Sequence, residues 1–222
     1  NRTTGTSSIA GKFSSAFSLG YQLYKEKDNT YANLLKSRAA SAYAFGLKKP
    51  GNTQTSCFVS PYFYEEDNWV DDMELAAAQL YNITKDRNLL TASFEYAKQE
   101  KQTPWLGTDT ASHYQWYPFI NVGHYELAKT AQGEVREQTI SFYKQGINLV
   151  WEKARNNAFY RGVPFIWCSN NLQAAFAIQC YWYRQLTGDQ TYAELEQATF
   201  DWLLGVNPWG TSMIVGLPVN GD

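Results

Sequence analysis

Three stretches of the chain share one pattern: residues 21–31 are YQLYKEKDNTY, residues 80–89 are LYNITKDRNL, and residues 183–192 are YRQLTGDQTY. Each has an aromatic or leucine residue, a polar turn with one aspartate, and a hydrophobic residue after the turn. The aspartates are Asp28, Asp86 and Asp189. Aspartate suits this place because its carboxylate accepts hydrogen bonds from the free amides that open a helix. The pattern predicts tight turns between paired helices, with residues 127–135 (LAKTAQGEV) as a looser copy.

On both sides of these turns, apolar residues recur at spacings of three and four, which is typical of amphipathic helices. The predicted helices cover residues 9–24, 31–47, 70–83, 89–97, 117–128, 135–158, 172–186 and 192–204. A pair of helices at intervals of roughly 50 residues predicts an all-α fold of repeated αα-hairpins. Short extended segments are expected at residues 57–63 and 213–217, where β-branched and aromatic residues gather.

The composition excludes several classes of partner. The 222 residues carry 19 basic and 21 acidic side chains, and 44% of them are hydrophobic, enough for a packed core. A near-neutral chain lacks the basic surface that binds nucleic acid non-specifically. No stretch approaches the roughly 20 apolar residues of a membrane-spanning helix. We therefore expect neither a nucleic acid nor a membrane as partner.

Metal-ligating residues are few and show no ligand spacing. The two histidines, His113 and His124, do not form a paired motif, and the three cysteines include no C-x-x-C. We expect no metal site and no required cofactor. A structural calcium ion is left open, although no motif indicates one.

The connections between hairpins are long and aromatic, whereas the turns inside hairpins are short and polar. If the hairpins stand in a ring, these connections lie on one rim, where binding loops are common. Flat rings stack on sugar faces, so the loops predict a carbohydrate groove. For any single ring, filling a gap between hairpins is the simpler explanation. The rings are Tyr62, Tyr64, Trp69, Trp105, Tyr114, Trp116, Tyr117 and Trp167.

An acidic run precedes and opens the helix predicted at 70–83. Its members are Glu65, Glu66, Asp67, Asp71 and Asp72. Paired carboxylates could supply the acid and base of glycosidic cleavage. The favoured alternative is that Asp71 and Asp72 stabilise the positive end of the helix dipole.

Five segments in order give the chain a family resemblance. They are NRTTGTSSIAGKFSSAFSLG (1–20), EEDNWVDDMELAAAQLYNIT (65–84), HYQWYPFINVGHYELA (113–128), WCSNNLQAAFA (167–177) and DWLLGVNPWGTSMIVGLP (201–218). Together they resemble glycoside hydrolase family nine, whose members are mostly inverting endo- and exo-β-1,4-glucanases. The last segment is the most specific of the five.

The resemblance implies a fold and an activity. The family fold is an (α/α)6 barrel of six hairpins, of which residues 1–222 match the central portion, about four hairpins, with both ends truncated. The family's base, an aspartate, and acid, a glutamate, are expected outside this chain, separated in the enzyme by roughly 6.5–9.5 Å. The catalytic residues therefore stay unknown, and the chain alone is expected to be inactive.

The resemblance also implies substrate contacts. Trp116 and Trp167 match positions of sugar-stacking tryptophans, Tyr64 and Trp69 match an aromatic loop that borders the cleft, and His113 and Tyr117 lie in the same rim. The expected partners are a β-glucan or cello-oligosaccharide and the remaining segments of the same polypeptide. Because a polymeric substrate cannot enter cells, a secreted or periplasmic location is expected.

Two other classes of function stay open. One is a non-catalytic carbohydrate-binding scaffold on the same fold. The other is a different αα-barrel enzyme acting on polysaccharides, such as an uronyl hydrolase or a lyase, which needs paired cations to face an anionic sugar. The loops offer only Lys48, Lys49 and Arg161, which disfavours this second class.

Overall fold

The computed structural model of the protein describes residues 3–54, 68–100, 121–166 and 169–218. The helices are α1 (Ser7–Tyr24), α2 (Asn29–Lys48), α3 (Val70–Thr84), α4 (Arg87–Glu100), α5 (Val122–Thr130), α6 (Gly133–Ala154), α7 (Ser169–Thr187) and α8 (Ala193–Leu203). These ranges contain no strand, which confirms the all-α prediction. None of the helices in them combines the length and apolar character needed to cross a membrane.

The predicted aspartate turns are present at all three positions. Asp28 Oδ1 accepts a hydrogen bond from the Tyr31 amide at 2.9 Å, at the start of α2. Asp86 Oδ1 accepts one from the Asn88 amide, and Asp189 Oδ1 accepts one from the Thr191 amide, both at 2.9 Å. These hydrogen bonds lie in the turns of three hairpins, α1–α2, α3–α4 and α7–α8. At the looser fourth copy, two residues separate the end of α5 from the start of α6.

Two predicted helices and one predicted extended segment differ from the structure. The fifth predicted helix is interrupted at Asn121, which takes a left-handed conformation (φ 69°), so that α5 begins at Val122; residues 117–120 of the prediction lie outside the described residues. The sixth ends at Ala154, where the Asn157 side chain caps a following turn through the Phe159 amide. Residues 213–217 form turns rather than an extended segment, since Gly216 has φ 75° and the Leu217 amide bonds to the Ile214 carbonyl. The other extended prediction, 57–63, lies outside the described residues.

The chain forms two compact units. Unit 1 comprises residues Asn1–Lys101 and Asn121–Thr139, and unit 2 comprises Gln102–Ile120 and Ile140–Asp222. In unit 1, α3 packs against α1, α4 and α5. Its core consists of Ala39, Tyr43, Met73, Ala76, Ala77 and Leu80. In unit 2, the largest buried side chains include Tyr143, Ile147, Leu172, Phe176 and Leu195.

Small residues allow α1 to lie close to its neighbours in unit 1. The hydroxyls of Ser7 and Ser14 each donate to a carbonyl of α2, those of Gly46 and Ala39, at 2.9 Å. Gly11 faces the α3 backbone so closely that a Cβ there would lie 2.7 Å from the Asp72 carbonyl oxygen. This close packing holds the helices of unit 1 in place. We call the end of unit 1 at which α3 and α5 begin and α4 ends its loop end.

Candidate functional site at the loop end of unit 1

One of the six predicted substrate-contacting residues, Trp69, lies in the described part of the chain. The others lie outside it: Tyr64, His113, Trp116, Tyr117 and Trp167. Trp69 immediately precedes α3 and is half-buried. The rings of Trp69 and Tyr96 are in edge-to-face contact, with their centroids 6.0 Å apart. Trp69 also packs against the core of unit 1. Its contact with sugar stays a prediction.

A histidine and a glutamate form a buried pair beneath this end. Nδ1 of His124, on α5, lies 2.6 Å from Oε1 of Glu74, on α3, and both side chains are fully buried. One proton lies between these two atoms. Burial raises the pKa of the Glu74 carboxyl, and the nearby His124 opposes that rise. The pair therefore couples the ends of two helices through a polar contact that water does not reach.

A second carboxyl, Glu100 at the end of α4, lies close by. The Asn68 side-chain amide donates to Glu100 Oε2 at 2.7 Å, and Asn68 Oδ1 accepts from the Val70 amide at 3.1 Å. Burial raises the pKa of Glu100 to about 8, and the charge of Asp71 adds to this effect. Glu100 therefore holds a proton at neutral pH.

Three residues at this end of unit 1 adjoin the two aromatic segments in the sequence. Asn68 follows segment 55–67, Glu100 precedes segment 101–120, and the buried Asn121 follows it. Because Glu74 and His124 are fully buried, they do not touch a polymer. The loop-end cluster (Asn68, Glu74, Glu100 and His124) thus positions the bases of the two segments in which most of the sugar contacts are predicted.

The acidic run supports the fold at Asp72. Asp72 lies in the first turn of α3, and its Oδ2 accepts a hydrogen bond from Lys12 Nζ on α1 at 2.6 Å. This ion pair favours the helix-start role over an acid–base role for Asp72. Glu65, Glu66 and Asp67 lie outside the described residues. Within the parts that are described, no three His, Cys, Asp or Glu side chains come together as metal ligands.

Gly123 makes the Glu74–His124 contact possible. A Cβ at position 123 would lie 2.7 Å from Glu74 Cδ, inside van der Waals contact. We expect Gly123→Ala to lower the free energy of unfolding by about 1 to 3 kcal/mol, because the Glu74 side chain that the new methyl group would displace is fully buried and bonded to His124. Urea unfolding of the two proteins measures this. The control is Lys129→Ala, which alters an exposed part of α5. Gly133→Ala is unsuitable because Gly133 has φ 57°, a backbone conformation that alanine adopts only with strain. Equal stability of Gly123→Ala and Lys129→Ala would contradict the packing argument.

The Glu74–His124 pair is absent from the predictions above, although the sequence contains a signal for it. Glu74 lies one turn before Ala77 and Ala78, both buried, and His124 lies one turn before Leu127 and Ala128, also buried. An ionisable residue on the apolar face of a helix is buried and needs a partner. Two such residues of opposite charge type in one chain therefore indicate a buried pair.

In unit 2, Arg161 packs against two rings and forms hydrogen bonds through Nη2, while its Nε and Nη1 are buried without a hydrogen-bond partner among the described residues. Its guanidinium lies between the rings of Phe165 and Trp202, 4.8 and 4.4 Å from their centroids. Nη2 donates to Ser169 Oγ at 2.9 Å and to the Pro164 carbonyl at 3.2 Å. Burial lowers its pKa to about 10. This arrangement further disfavours an enzyme that uses this loop to hold an anionic sugar.

Comparisons with known proteins agree with the hairpin repeat. Cellulase Cel9M of C. cellulolyticum has 24% sequence identity and a TM-score of 0.67, covering 96% of this chain and 47% of that one. AaCel9A, solved with a cellobiose-like isofagomine, has 18% identity and a TM-score of 0.72, covering 91% of this chain and 38% of that one. The similarity confirms the (α/α)6-barrel fold class.

Sequence relatives point to the same family. Endoglucanase 14 of Arabidopsis thaliana is 27% identical, covering 96% of this chain and 47% of its own length. Endoglucanase 4 of Bacillus sp. (strain KSM-522) is 24% identical, covering 96% of this chain and 34% of its own length. The chain thus spans less than half the length of these relatives. The sequence profile described as "Glycosyl hydrolase family 9" matches residues 1–221, and the chain belongs to that family.

Proposed function

We propose that this chain is the central part of an enzyme that hydrolyses β-1,4-glucosidic bonds in cellulose or a related β-glucan. The family match over residues 1–221 carries the proposal, together with the two endoglucanases above. Since those relatives are more than twice as long, the proposed enzyme is completed by further hairpins of the same polypeptide. About four of six hairpins lie in residues 1–222.

The proposed mechanism is inversion by two carboxyl groups outside this chain. An aspartate activates water on one face of the sugar while a glutamate protonates the leaving oxygen. The chain's contribution is to hold the sugar: its loop-end cluster fixes the bases of segments that carry Tyr64, His113, Trp116 and Tyr117. No cofactor is required.

A polymeric substrate requires the enzyme to act outside the cytoplasm, in a secreted or periplasmic form.

An exposed apolar face on unit 1 supports the incomplete barrel. Phe13 on α1 and Phe45 on α2 are 54% and 55% exposed, unusually high for aromatic side chains. They border a groove of about 520 Å³ together with Ile9, Phe17 and Ala42. In the proposed enzyme this face is covered by another hairpin of the barrel. Four hairpins alone leave such a flank open.

Cello-oligosaccharide hydrolysis tests the proposal. The full-length protein that contains this chain should cleave cellohexaose, and proton NMR during the first minutes should show the α-anomer of the new reducing end. Residues 1–222 alone should give no turnover. Absence of cleavage on cellulose, cello-oligosaccharides and mixed-linkage glucan would contradict the enzyme. Tight binding of cellohexaose without any cleavage would instead establish a carbohydrate-binding scaffold.

A further inference from the structure

Glu100 and Trp69 are connected through the side chain of Asn68. Glu100 is the last residue of α4 and is 9% exposed. The Asn68 amide donates to Glu100 Oε2 at 2.7 Å, and Asn68 Oδ1 accepts from the Val70 amide at 3.1 Å. The Trp69 carbonyl accepts from the Met73 amide at 3.2 Å. The backbone of Trp69 is therefore held to the start of α3 on one side and, through Asn68, to the end of α4 on the other.

The ring of Trp69 is held by the same helix. Tyr96 lies one turn before Glu100 on α4, and its ring contacts that of Trp69 edge to face. The Tyr96 hydroxyl is hydrogen-bonded to that of Tyr43, a residue of the unit 1 core. Burial raises the pKa of Tyr96 above its ordinary value, so this contact does not change between pH 6 and pH 9. The contact that changes in this range is the one between Asn68 and Glu100.

The surroundings of Glu100 suit a neutral carboxyl and not a carboxylate. The helices α3 and α5 pack against α4. Asp71 and Glu74 on α3 oppose a negative charge on Glu100, whereas His124 on α5 favours one but is already paired with Glu74. Among the described residues, Glu100 Oε1 has no hydrogen-bond partner, and the end of α4 adds the negative end of a helix dipole. An ionised Glu100 is therefore stabilised by turning toward water, which breaks its bond to Asn68.

We propose that Glu100 is a pH-sensitive positioning residue for Trp69. Its neutral carboxyl holds Asn68, and with it Trp69, in place, and its ionised form releases them while the helices of unit 1 stay folded. Burial raises the pKa of Glu100 to about 8, so the contact is intact at pH 6 and largely lost at pH 9. The consequence for substrate rests on the proposed function: because Trp69 is a predicted sugar contact, glucan affinity falls at alkaline pH.

Kinetics of the full-length protein at two pH values test this consequence. For wild type we expect KM for cellohexaose to rise about two- to tenfold from pH 6 to pH 9, the effect of losing one aromatic contact. In Glu100→Gln the two KM values should be equal, because glutamine accepts the same hydrogen bond and stays neutral. Since the proposed catalytic carboxyls lie outside this chain, kcat should change with pH equally in both proteins. The control is Glu95→Gln, an exposed position on the same helix, which should behave as wild type.

Fluorescence of Trp69 tests the positioning role without substrate. The difference between the emission spectra of wild type and Trp69→Phe isolates this indole. Its emission should shift to longer wavelength with a midpoint at about pH 8. The shift should be absent when Glu100→Gln is introduced into both proteins. An unchanged far-UV circular dichroism signal at pH 9 shows that the helices remain folded.

The outcomes separate this role from the glucanase proposal. A Trp69 shift without cleavage of any β-glucan would support the positioning role and overturn the glucanase. Cleavage with pH-independent Trp69 emission, or with equal pH dependence of KM in wild type and Glu100→Gln, would overturn the positioning role and leave the glucanase intact. Loss of the helical signal together with the Trp69 shift would assign the pH effect to global unfolding and would also overturn the positioning role.

Discussion

Replacing Glu100 by glutamine should remove a large pH dependence from the stability of the protein. The folded state raises the pKa of Glu100 to about 8, whereas an unfolded glutamate has a pKa of about 4.3. Between these values the folded state binds the additional proton, so the free energy of unfolding falls as pH rises. From pH 5 to pH 8.5 the loss due to Glu100 is about 4 kcal/mol. Such a loss is comparable with the total stability of a small domain.

Glutamine has the shape of the protonated carboxyl and accepts the same hydrogen bond from Asn68. Glu100→Gln should therefore be nearly as stable as wild type at pH 5 and clearly more stable at pH 8.5. Urea unfolding at both pH values measures the difference. The control is Glu95→Gln on the same helix, because Glu95 is exposed and paired with Lys98. Some pH dependence should persist, since Glu74 is shifted in the same direction. Parallel pH profiles for Glu100→Gln and wild type would contradict the assignment.

Removing His124 should cost more stability than any surface change on α5. His124→Ala deletes the partner of a fully buried carboxyl and leaves a cavity beside it. Breaking a buried pair in this way lowers the free energy of unfolding by about 3 to 5 kcal/mol. Lys129→Ala, which breaks an exposed pair with Glu126 on the same helix, should change it by less than about 1 kcal/mol.

A double substitution separates the charge from the packing. Glu74→Met with His124→Leu replaces both polar groups by apolar ones of similar size, so no buried charge is left without a partner. We expect this protein to recover most of the stability lost in His124→Ala. Denaturant unfolding of wild type, Glu74→Met, His124→Leu and the double variant at pH 7 gives the coupling free energy between the two residues. A double variant as unstable as His124→Ala would show that shape, rather than charge, dominates at this site.

The hairpin architecture was predictable because its signals are local. Asp28, Asp86 and Asp189 each act on an amide within three residues, so a short window of sequence contains both donor and acceptor. Local signals also explain the error at residues 213–217. The β-branched residues there favour an extended strand, but Gly216 turns the chain, and no neighbouring strand in the described residues compensates for it.

The loop-end cluster was not predicted because its contacts are distant in sequence. Glu74 and His124 are separated by 50 positions, and Asn68 and Glu100 by 32. Glu100 lies in the polar stretch AKQEK, which suggests a solvated helix end. Its burial follows from the packing of α4 on α3, which periodicity within one helix does not reveal. For the aromatic loops, the family resemblance remains the basis of the predicted sugar contacts.

The close approach of α5 to α3 also restricts how the sequence can change. The Glu74 side chain fits only because position 123 has no Cβ, and the buried Glu74 carboxyl is stabilised by its contact with His124. A larger residue at position 123 requires a smaller one at 74, and without a carboxyl at 74 a histidine at 124 loses its partner. We therefore expect the effects of substitutions at positions 74, 123 and 124 on the free energy of unfolding to be non-additive.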